Sequence, residues 1–573
     1  MADHDAPPTP QTPSPAPETP ARKFFGIAPI KVVFAMEYVL QGLANPFQGI
    51  TYQSFFRHFR FDYGLSEAAT QGLFSKSYLA WSFKPLIGFL IDAYGRTRTI
   101  LILLLLMVTL GYLLVPIVDT GYLIFFAFMF GVSIVMAATD VAVDRATVID
   151  GDEEARATGK SKSTTVGLNQ AICWTAIYGT GILAAVLGGW VAEHFPFNWL
   201  MIVLALVPAS VLLFVLLLPR DKAKPIPIGR SMGNFWDGLN SGPILWIMLF
   251  YFIFHFQPAM GALWNNYLIE SLHFSQTQIG LADGAANTGY FVGVLLFAAL
   301  GVKWQDRVGL RKLFRIYILA SVAINLTQYL LVDPWFSRVT GGLHAILPGL
   351  ELETVRLGWL AAYNFLLAVA ASIIRMSTFS LVGAVIPVAA AGSLFAGFMS
   401  VANLAYSFSY ASGAWLYTNG MGFGFLRSLQ ERLFGIAGLP GDELSISMLI
   451  LIGSLAYFLS FVSTHMLPDR RQTLVGVDEE EQHEGPARWL RLPAALKKNV
   501  DRLSLALGTG LFLWFTWQWF AELDLIKHLS EWTHLYAQPW FGVGFDPVSA
   551  LLISFFGLTF LRKVSLDALL RRV

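Results

Sequence analysis

The stretch "ATDVAVDRATVIDG" (138–151) closes a long apolar run with Asp140, Asp144 and Arg145. The two aspartates stand at i and i+4, so a helix puts both carboxylates on one face, where they suit proton uptake or pairing with a cation. A charge at the centre of a bilayer costs about 3 kcal/mol on insertion scales, so such groups face a partner or a water-filled path. Glu37 and Lys76 pose the same problem, since each stands about nine residues, roughly 13 Å of helix, inside an apolar run. Glu37 suits proton uptake or an ion pair with Lys76; Lys76 also suits an acidic ligand. His255, Gln257, Trp264, Asn265 and Asn266 cluster in a later run, and Asn403, Tyr406 and Tyr410 recur at helical spacing. Asn and Tyr hydrogen-bond and stack flat heterocycles, and contacts between helices use the same residues.

The elements that must position these groups are membrane spans. The chain has 573 residues, 55% hydrophobic and 13% charged, with a mean hydropathy of +0.57. That composition excludes a soluble globular protein and predicts an all-α, multi-pass protein embedded in a lipid bilayer. One cysteine, Cys173, excludes an intramolecular disulfide and a thiolate metal cluster. There is no phosphate-binding Gly-Lys-Ser/Thr loop and no signature of a cofactor or covalent catalyst, so no enzyme activity, no cofactor and no nucleic-acid partner are expected. Apolar runs of about 20 residues fall near 28–50, 67–91, 100–118, 121–144, 165–192, 197–218, 242–268, 276–302, 313–332, 357–380, 393–417 and 446–466, with two more near 503–521 and 546–562.

Lys and Arg concentrate in alternate loops, at Arg96 and Arg98, Arg156 to Lys162, Arg220 to Arg230 and Arg307 to Arg315. The positive-inside rule places those loops in the cytoplasm. The expected organisation is a disordered Pro-rich cytoplasmic tail over 1–22, a six-helix half over 23–218 and a cytoplasmic inter-half loop over 219–241. A second six-helix half follows over 242–468, then a cytoplasmic linker over 469–502 and two additional transmembrane helices over 503–573. The segment "RWLRLPAALKKNVDRL" interleaves basic and apolar residues and suits a membrane surface. Both chain ends are expected in the cytoplasm, the membrane being a bacterial inner membrane.

An internal repeat sets the two halves. "GFLIDAYGRTR" (88–98) follows the second span and "GVKWQDRVGLRK" (301–312) the eighth, each with an Asp, a Gly three residues on, then an Arg: Asp92, Gly95, Arg96 and Asp306, Gly309, Arg311. The pattern resembles the loop motif of the major facilitator superfamily, in which the Asp and Arg help latch the cytoplasmic side. Three stretches narrow the resemblance: "FKPLIGFLIDAYG" (83–95), "ATDVAVDRATVIDG" and "AGSLFAGFMSVANLAYSFSYASGAW" (391–415). They look like the folate-biopterin transporter family, with its Lys-Pro-Leu-x-Gly-Phe, helix-four Asp-x-x-x-Asp and helix-eleven Met-Ser-x-x-Asn-Leu signatures. Arg145 departs from that family's common Ala, and the last two spans lie outside its pattern.

The resemblance implies a major-facilitator-type fold and a secondary active transporter of a small organic solute, a folate or pterin-like compound first, working by proton-coupled alternating access. Another solute, such as a muropeptide or organic anion, and a non-transporting assembly or sensing protein on the same fold are the rival readings. Substrate contacts are expected from Glu37, Lys76, His255, Gln257, Asn403 and Tyr406. Gating and coupling are expected from Lys84, Asp92, Arg96, Asp140, Asp144, Asp306, Arg311 and Arg375. Asp140 and Arg375 lie at matched depths, roughly 28 Å along helices four and ten, which predicts an ion pair across the two halves, with Asp144 meeting Arg96 or Arg98. The small residues of "GTGILAAVLGG" (179–189) predict close helix packing.

Overall fold

A computed structural model describes residues 27–159, 162–219, 225–239, 243–258, 261–301, 304, 307–332, 351–385, 391–436 and 443–467, with isolated positions 339, 342 and 349. The expected tail, the polar linker, the two additional C-terminal spans and Asp306 lie outside the described residues.

The first half runs through α1 (Pro29–Ala44), α2 (Thr51–Arg57), α3 (Glu67–Ser82), α4 (Lys84–Tyr94), α5 (Thr97–Val118), α6 (Tyr122–Thr158), α7 (Lys162–His194), α8 (Phe197–Leu204) and α9 (Leu206–Leu216). A short helix, α10 (Ile228–Leu239), occupies the expected inter-half loop. The second half comprises α11 (Pro243–His255), α12 (Gly261–Asn266), α13 (Gln276–Leu296), α14 (Leu310–Leu326), α15 (Leu352–Val385), α16 (Ala391–Asn419), α17 (Gly424–Phe434) and α18 (Ile446–Ser463). Every one of the first twelve expected spans is a helix or a broken helix, and eight are long and apolar enough to cross a membrane by length and composition. The protein is all-helical among the described residues.

Prolines explain three of the breaks. A proline has no N–H and pushes the residue before it out of helical geometry. Pro46 follows Asn45, which caps α1 in an extended conformation; Pro85 opens α4 directly after the Phe83 break; Pro258 follows Gln257 beyond the end of α11.

Two glycines mark the repeated motif. Gly95 has φ +69° and Gly309 has φ +87°, the left-handed region that other residues avoid. Gly95 closes α4 in a left-handed turn with ψ 10°, whereas Gly309 precedes α14 with ψ 140°, a different backbone conformation.

The helix holding the acidic motif differs from expectation. α6 runs for 37 residues, about 56 Å at 1.5 Å per residue, instead of ending near residue 144. Asp140 and Asp144 are thus interior to the helix, and its last turns extend beyond a bilayer core of about 30 Å. At the end where α10 lies, called here the inter-half face, Phe235 of α10 meets Phe89 of α4 edge-on at 5.5 Å.

The halves meet along α3 with α16 and α7 with α13. Ser75 Oγ donates to Ser407 O at 2.8 Å, and Ser400 Oγ, 2.8 Å from Ala396 O of its own helix, lies 3.3 Å from Trp81 O. The glycine stripe of α7 lets backbones touch: a Cβ at Gly189 would stand 2.3 Å from Gln276 O, and one at Gly280 would stand 2.5 Å from Ala185 O. Gly189→Ala and Gly280→Ala should each lower the thermal stability of the purified protein by about 1–3 kcal/mol through overpacking. Gly131→Ala, with nothing within 4 Å of its added methyl, should be neutral or stabilising. Equal melting temperatures for all three variants would show that α7 and α13 are not in backbone contact.

Candidate functional site

Between the halves lies a cavity of about 610 Å³. All three proline breaks deliver a polar side chain to its wall, namely Asn45, Lys84 and Gln257. Broken helices at membrane depth are tolerated where the freed backbone lines a cavity or is covered by protein. Gln41, Asp140, Tyr78 and Tyr178 join from the first half, and Asp283, Asn287, Arg375, Asn403 and Tyr406 from the second.

Arg375 of α15 is held by aromatic residues. It donates to the hydroxyl of Tyr178 across the interface and to that of Tyr406 at 3.2 Å. Its guanidinium lies 5.1 Å from the Trp174 ring centre and 5.7 Å from that of Tyr290. Tyr178 and Tyr290 stack at 4.8 Å with 15° between their planes. No described carboxylate pairs with Arg375, so the expected ion pair with Asp140 is absent.

Asp140 is bonded by Lys84 instead, both side chains 2% exposed. The break at Phe83 starts α4 with Lys84, and the ammonium reaches Asp140 while standing 4.8 Å from the Trp81 ring centre. Matched depth from the helix ends carried no information about which way each side chain faces, which is why it selected the wrong cation.

At and behind the cavity wall the carboxylates form a network. Gln41 Nε2 donates one hydrogen to Glu37 Oε2 at 2.7 Å and one to Asp140 Oδ1 at 2.6 Å. Thr139 Oγ1 lies 2.6 Å from Glu37 Oε1 and 2.7 Å from Met136 O. A hydroxyl has one hydrogen. When Thr139 donates to Glu37, the carboxylate is charged; when it donates to Met136 O, the contact with Glu37 is satisfied by a carboxylic acid. Asp144 accepts from Tyr38 OH at 3.0 Å and Gln170 Nε2 at 3.2 Å, while its Oδ2 is buried with no partner among the described residues. Lys76 is buried on α3 outside the cavity wall, and the expected Glu37–Lys76 pair is absent because Thr139 and Gln41 occupy Glu37.

The other expected latch also takes a different form. Arg145 Nε donates to Asp92 Oδ1 at 2.9 Å, Ser231 Oγ of α10 donates to Asp92 Oδ2 at 2.8 Å, and Ile226 N–H donates to Asp92 O at 2.9 Å. Arg96 is exposed and Arg98 donates to Leu216 O at 3.1 Å, so neither meets Asp144. Arg311 donates to Leu467 O. His255 is buried beside the cavity, its Nδ1 2.9 Å from Tyr251 O and its ring edge-on to Tyr406 at 5.3 Å. Gln257, Asn403 and Tyr406 line the cavity, whereas Glu37, Lys76 and His255 do not.

Sequence reasoning passed over Gln41, Trp174, Tyr178, Asp283 and Tyr290. Two signals were present: Glu37, Gln41 and Asn45 recur every fourth residue, and Asp283, Asn287 and Tyr290 follow i, i+4, i+7 spacing.

An all-helical, multi-pass membrane protein with two halves around a charged, polar cavity has the architecture of a transporter. The chain belongs to the BT1 family, which residues 41–486 match. It is 25% identical over 443 residues to the folate-biopterin transporter of Synechocystis sp., covering 75% of this chain and 81% of that protein. Among solved structures, the human organic anion transporter MFSD10 (TETRAN) is similar with a TM-score of 0.49 at 14% identity, covering 76% of this chain and 98% of that one. The protein is a transporter of the BT1 family.

Removing Lys84 strands Asp140 in the interior, so Lys84→Met should destabilise the protein by about 3–5 kcal/mol. Adding Asp140→Asn removes the stranded charge and should restore most of the loss, read as thermal unfolding in detergent. A double variant no more stable than Lys84→Met alone would show that the two charges are not paired.

Proposed function

We propose that the protein is a secondary active transporter that carries a folate- or pterin-like anion by alternating access, coupled to protons. The observation that carries the reading is Arg375: a cation on the cavity wall, ringed by Trp174, Tyr178, Tyr290 and Tyr406, with no described carboxylate to neutralise it. Phenol hydroxyls hold such a guanidinium without cancelling its charge, which leaves it to an anionic solute, and the surrounding rings suit a flat heterocycle. The relation to the Synechocystis folate-biopterin transporter supports the same substrate class.

The contact between Arg375 and Tyr178 joins the two halves. An anion that draws Arg375 away loosens that contact, which ties occupancy of the cavity to rocking of the halves. Proton coupling rests on charge balance. Glu37 and Asp140 share the amide of Gln41, and among the described residues the cation bonded to this network is Lys84, on Asp140; a proton on Glu37 is accommodated by turning the Thr139 hydroxyl to Met136 O. In this reading the basic inter-half face is cytoplasmic in a bacterial inner membrane, with the start of α1 and the end of α18 on that side.

Purified protein in liposomes should accumulate radiolabelled folate or biopterin when a proton gradient is imposed, and a protonophore should abolish accumulation. Arg375→Gln should cut folate transport at least tenfold while the protein still inserts and melts normally. Glu37→Gln should keep solute exchange between preloaded and external pools but lose accumulation against a gradient. Failure of all folates and pterins to enter, with uptake of an unrelated anion, would replace the substrate class; accumulation that ignores the protonophore would remove the proton.

A further inference from the structure

We infer that Asp283 is a second substrate-binding pole, and that it selects solutes whose ring presents adjacent N–H and NH₂ donors on one edge, the cyclic guanidine pattern of a 2-amino-4-oxo heterocycle. The inference rests on the proposed transport function and specifies which part of the solute faces which wall.

Asp283, Asn287 and Tyr290 lie on one face of α13, and all three line the cavity. Tyr290 is the ring beneath Arg375. Seven residues of helix separate Tyr290 from Asp283, about 10 Å at 1.5 Å per residue. The cavity is therefore bipolar along α13, with a guanidinium at one end and a carboxylate at the other.

Asp283 has little to compensate it. The one described hydrogen bond to its carboxylate is a long one, 3.3 Å from Gln53 Nε2 to Oδ2, and no described cation pairs with it. Asn287, the nearest polar neighbour on the same face, spends its amide on the main-chain oxygen of Asp283 at 3.1 Å. A carboxylate on a partly enclosed wall without a cation is held at a cost unless a donor arrives. Its two oxygens match two parallel N–H donors on the edge of a flat ring, a geometry that is both strong and specific. The aromatic pair Tyr178 and Tyr290 lies toward the other pole, where the ring's anionic substituent reaches Arg375.

Gln53 belongs to α2 of the first half and Asp283 to the second. A donor edge that takes over Asp283 releases Gln53, just as an anion at Arg375 releases Tyr178. Each pole thus exchanges an inter-half contact for a solute contact.

The test is equilibrium binding to the purified full-length chain, followed through quenching of its tryptophan fluorescence. Three probes are compared: biopterin, which carries the 2-amino group; lumazine, a 2,4-dioxo pteridine that lacks it; and folic acid, which adds an anionic tail. The native protein should bind biopterin more tightly than lumazine. Asp283→Asn should weaken biopterin and folic acid about 10–100-fold, the range for a hydrogen bond to a charged group, and leave lumazine nearly unchanged. Asp283→Glu retains the carboxylate and should keep the preference for the 2-amino ring at reduced affinity, which separates recognition from a folding defect. Arg375→Gln should weaken folic acid selectively. If the native protein binds pterins and folate but does not prefer biopterin to lumazine, or if Asp283→Asn keeps that preference, the second pole is refuted while the transport reading stands. If the native protein binds none of the three, the substrate class fails and the second pole with it. Displacement of biopterin by a simple primary amine would reassign Asp283 to ammonium binding and overturn the inference.

Discussion

Pro46, Pro85 and Pro258 interrupt helices at membrane depth, where a freed carbonyl or N–H finds no water in the hydrocarbon around it. Much of the architecture is the means of covering those groups. The hydroxyl of Tyr112, from α5, donates to Ala44 O at the end of α1. Thr51 Oγ1 lies 2.9 Å from Asn45 O and 2.6 Å from Pro46 O, and its one hydrogen covers either carbonyl. Beyond α11, Gln257 N–H donates to Ser409 Oγ at 2.7 Å, and at the restart Ala262 N–H donates to Gln71 Oε1 at 2.6 Å. Gln71 belongs to the first half and Ala262 to the second, so one backbone repair spans the interface. The breaks that open the cavity are thus also what fixes the positions of the helices around it.

Charge is divided unequally between the halves. The ion pairs Lys84–Asp140 and Asp92–Arg145 are buried and lie within the first half, where they hold α4 to α6 whatever the second half does. The seam on the inter-half face is closed by rings and hydroxyls, such as Phe89 against Phe235 and Ser400 against Trp81. On the opposite face Arg60 reaches across to Glu270 at 2.8 Å, with side chains 21% and 43% exposed. A partly exposed pair of that kind contributes about 0–1 kcal/mol. Neither described seam depends on a buried ion pair that would have to be pulled apart in a cycle, which suits two halves that rock between states of similar energy.

Much of this architecture was legible before any coordinates. Hydropathy located the first twelve spans because a bilayer fixes their length, and the glycine of each repeat, Gly95 and Gly309, was legible because both hold a positive φ that other residues avoid. Pairings were less legible. Depth along a helix follows from counting, but the direction of a side chain around the axis does not, so Asp140 was matched to Arg375 when Lys84 was nearer. The Pro85 break supplied the missing turn, and a proline beside a lysine inside an apolar run is the signal that reveals it. Asp283 went unread because its span is punctuated by Gly, Asn and Thr, among which one more polar residue does not stand out.

Gln41 links these charges to the cavity. Its amide nitrogen has two hydrogens, and both are committed, one to Glu37 and one to Asp140. Glu37 lies behind the wall, whereas Gln41, Asp140 and Lys84 are on it. A proton added at Glu37 therefore changes the charge sensed in the cavity without entering it. The sign of the effect follows from electrostatics: fewer negative charges around Lys84 make the cavity more favourable to an anion at Arg375. Linkage makes the relation reciprocal, so the bound anion favours the proton by the same free energy. In the proposed cycle, anion and proton consequently move in the same direction.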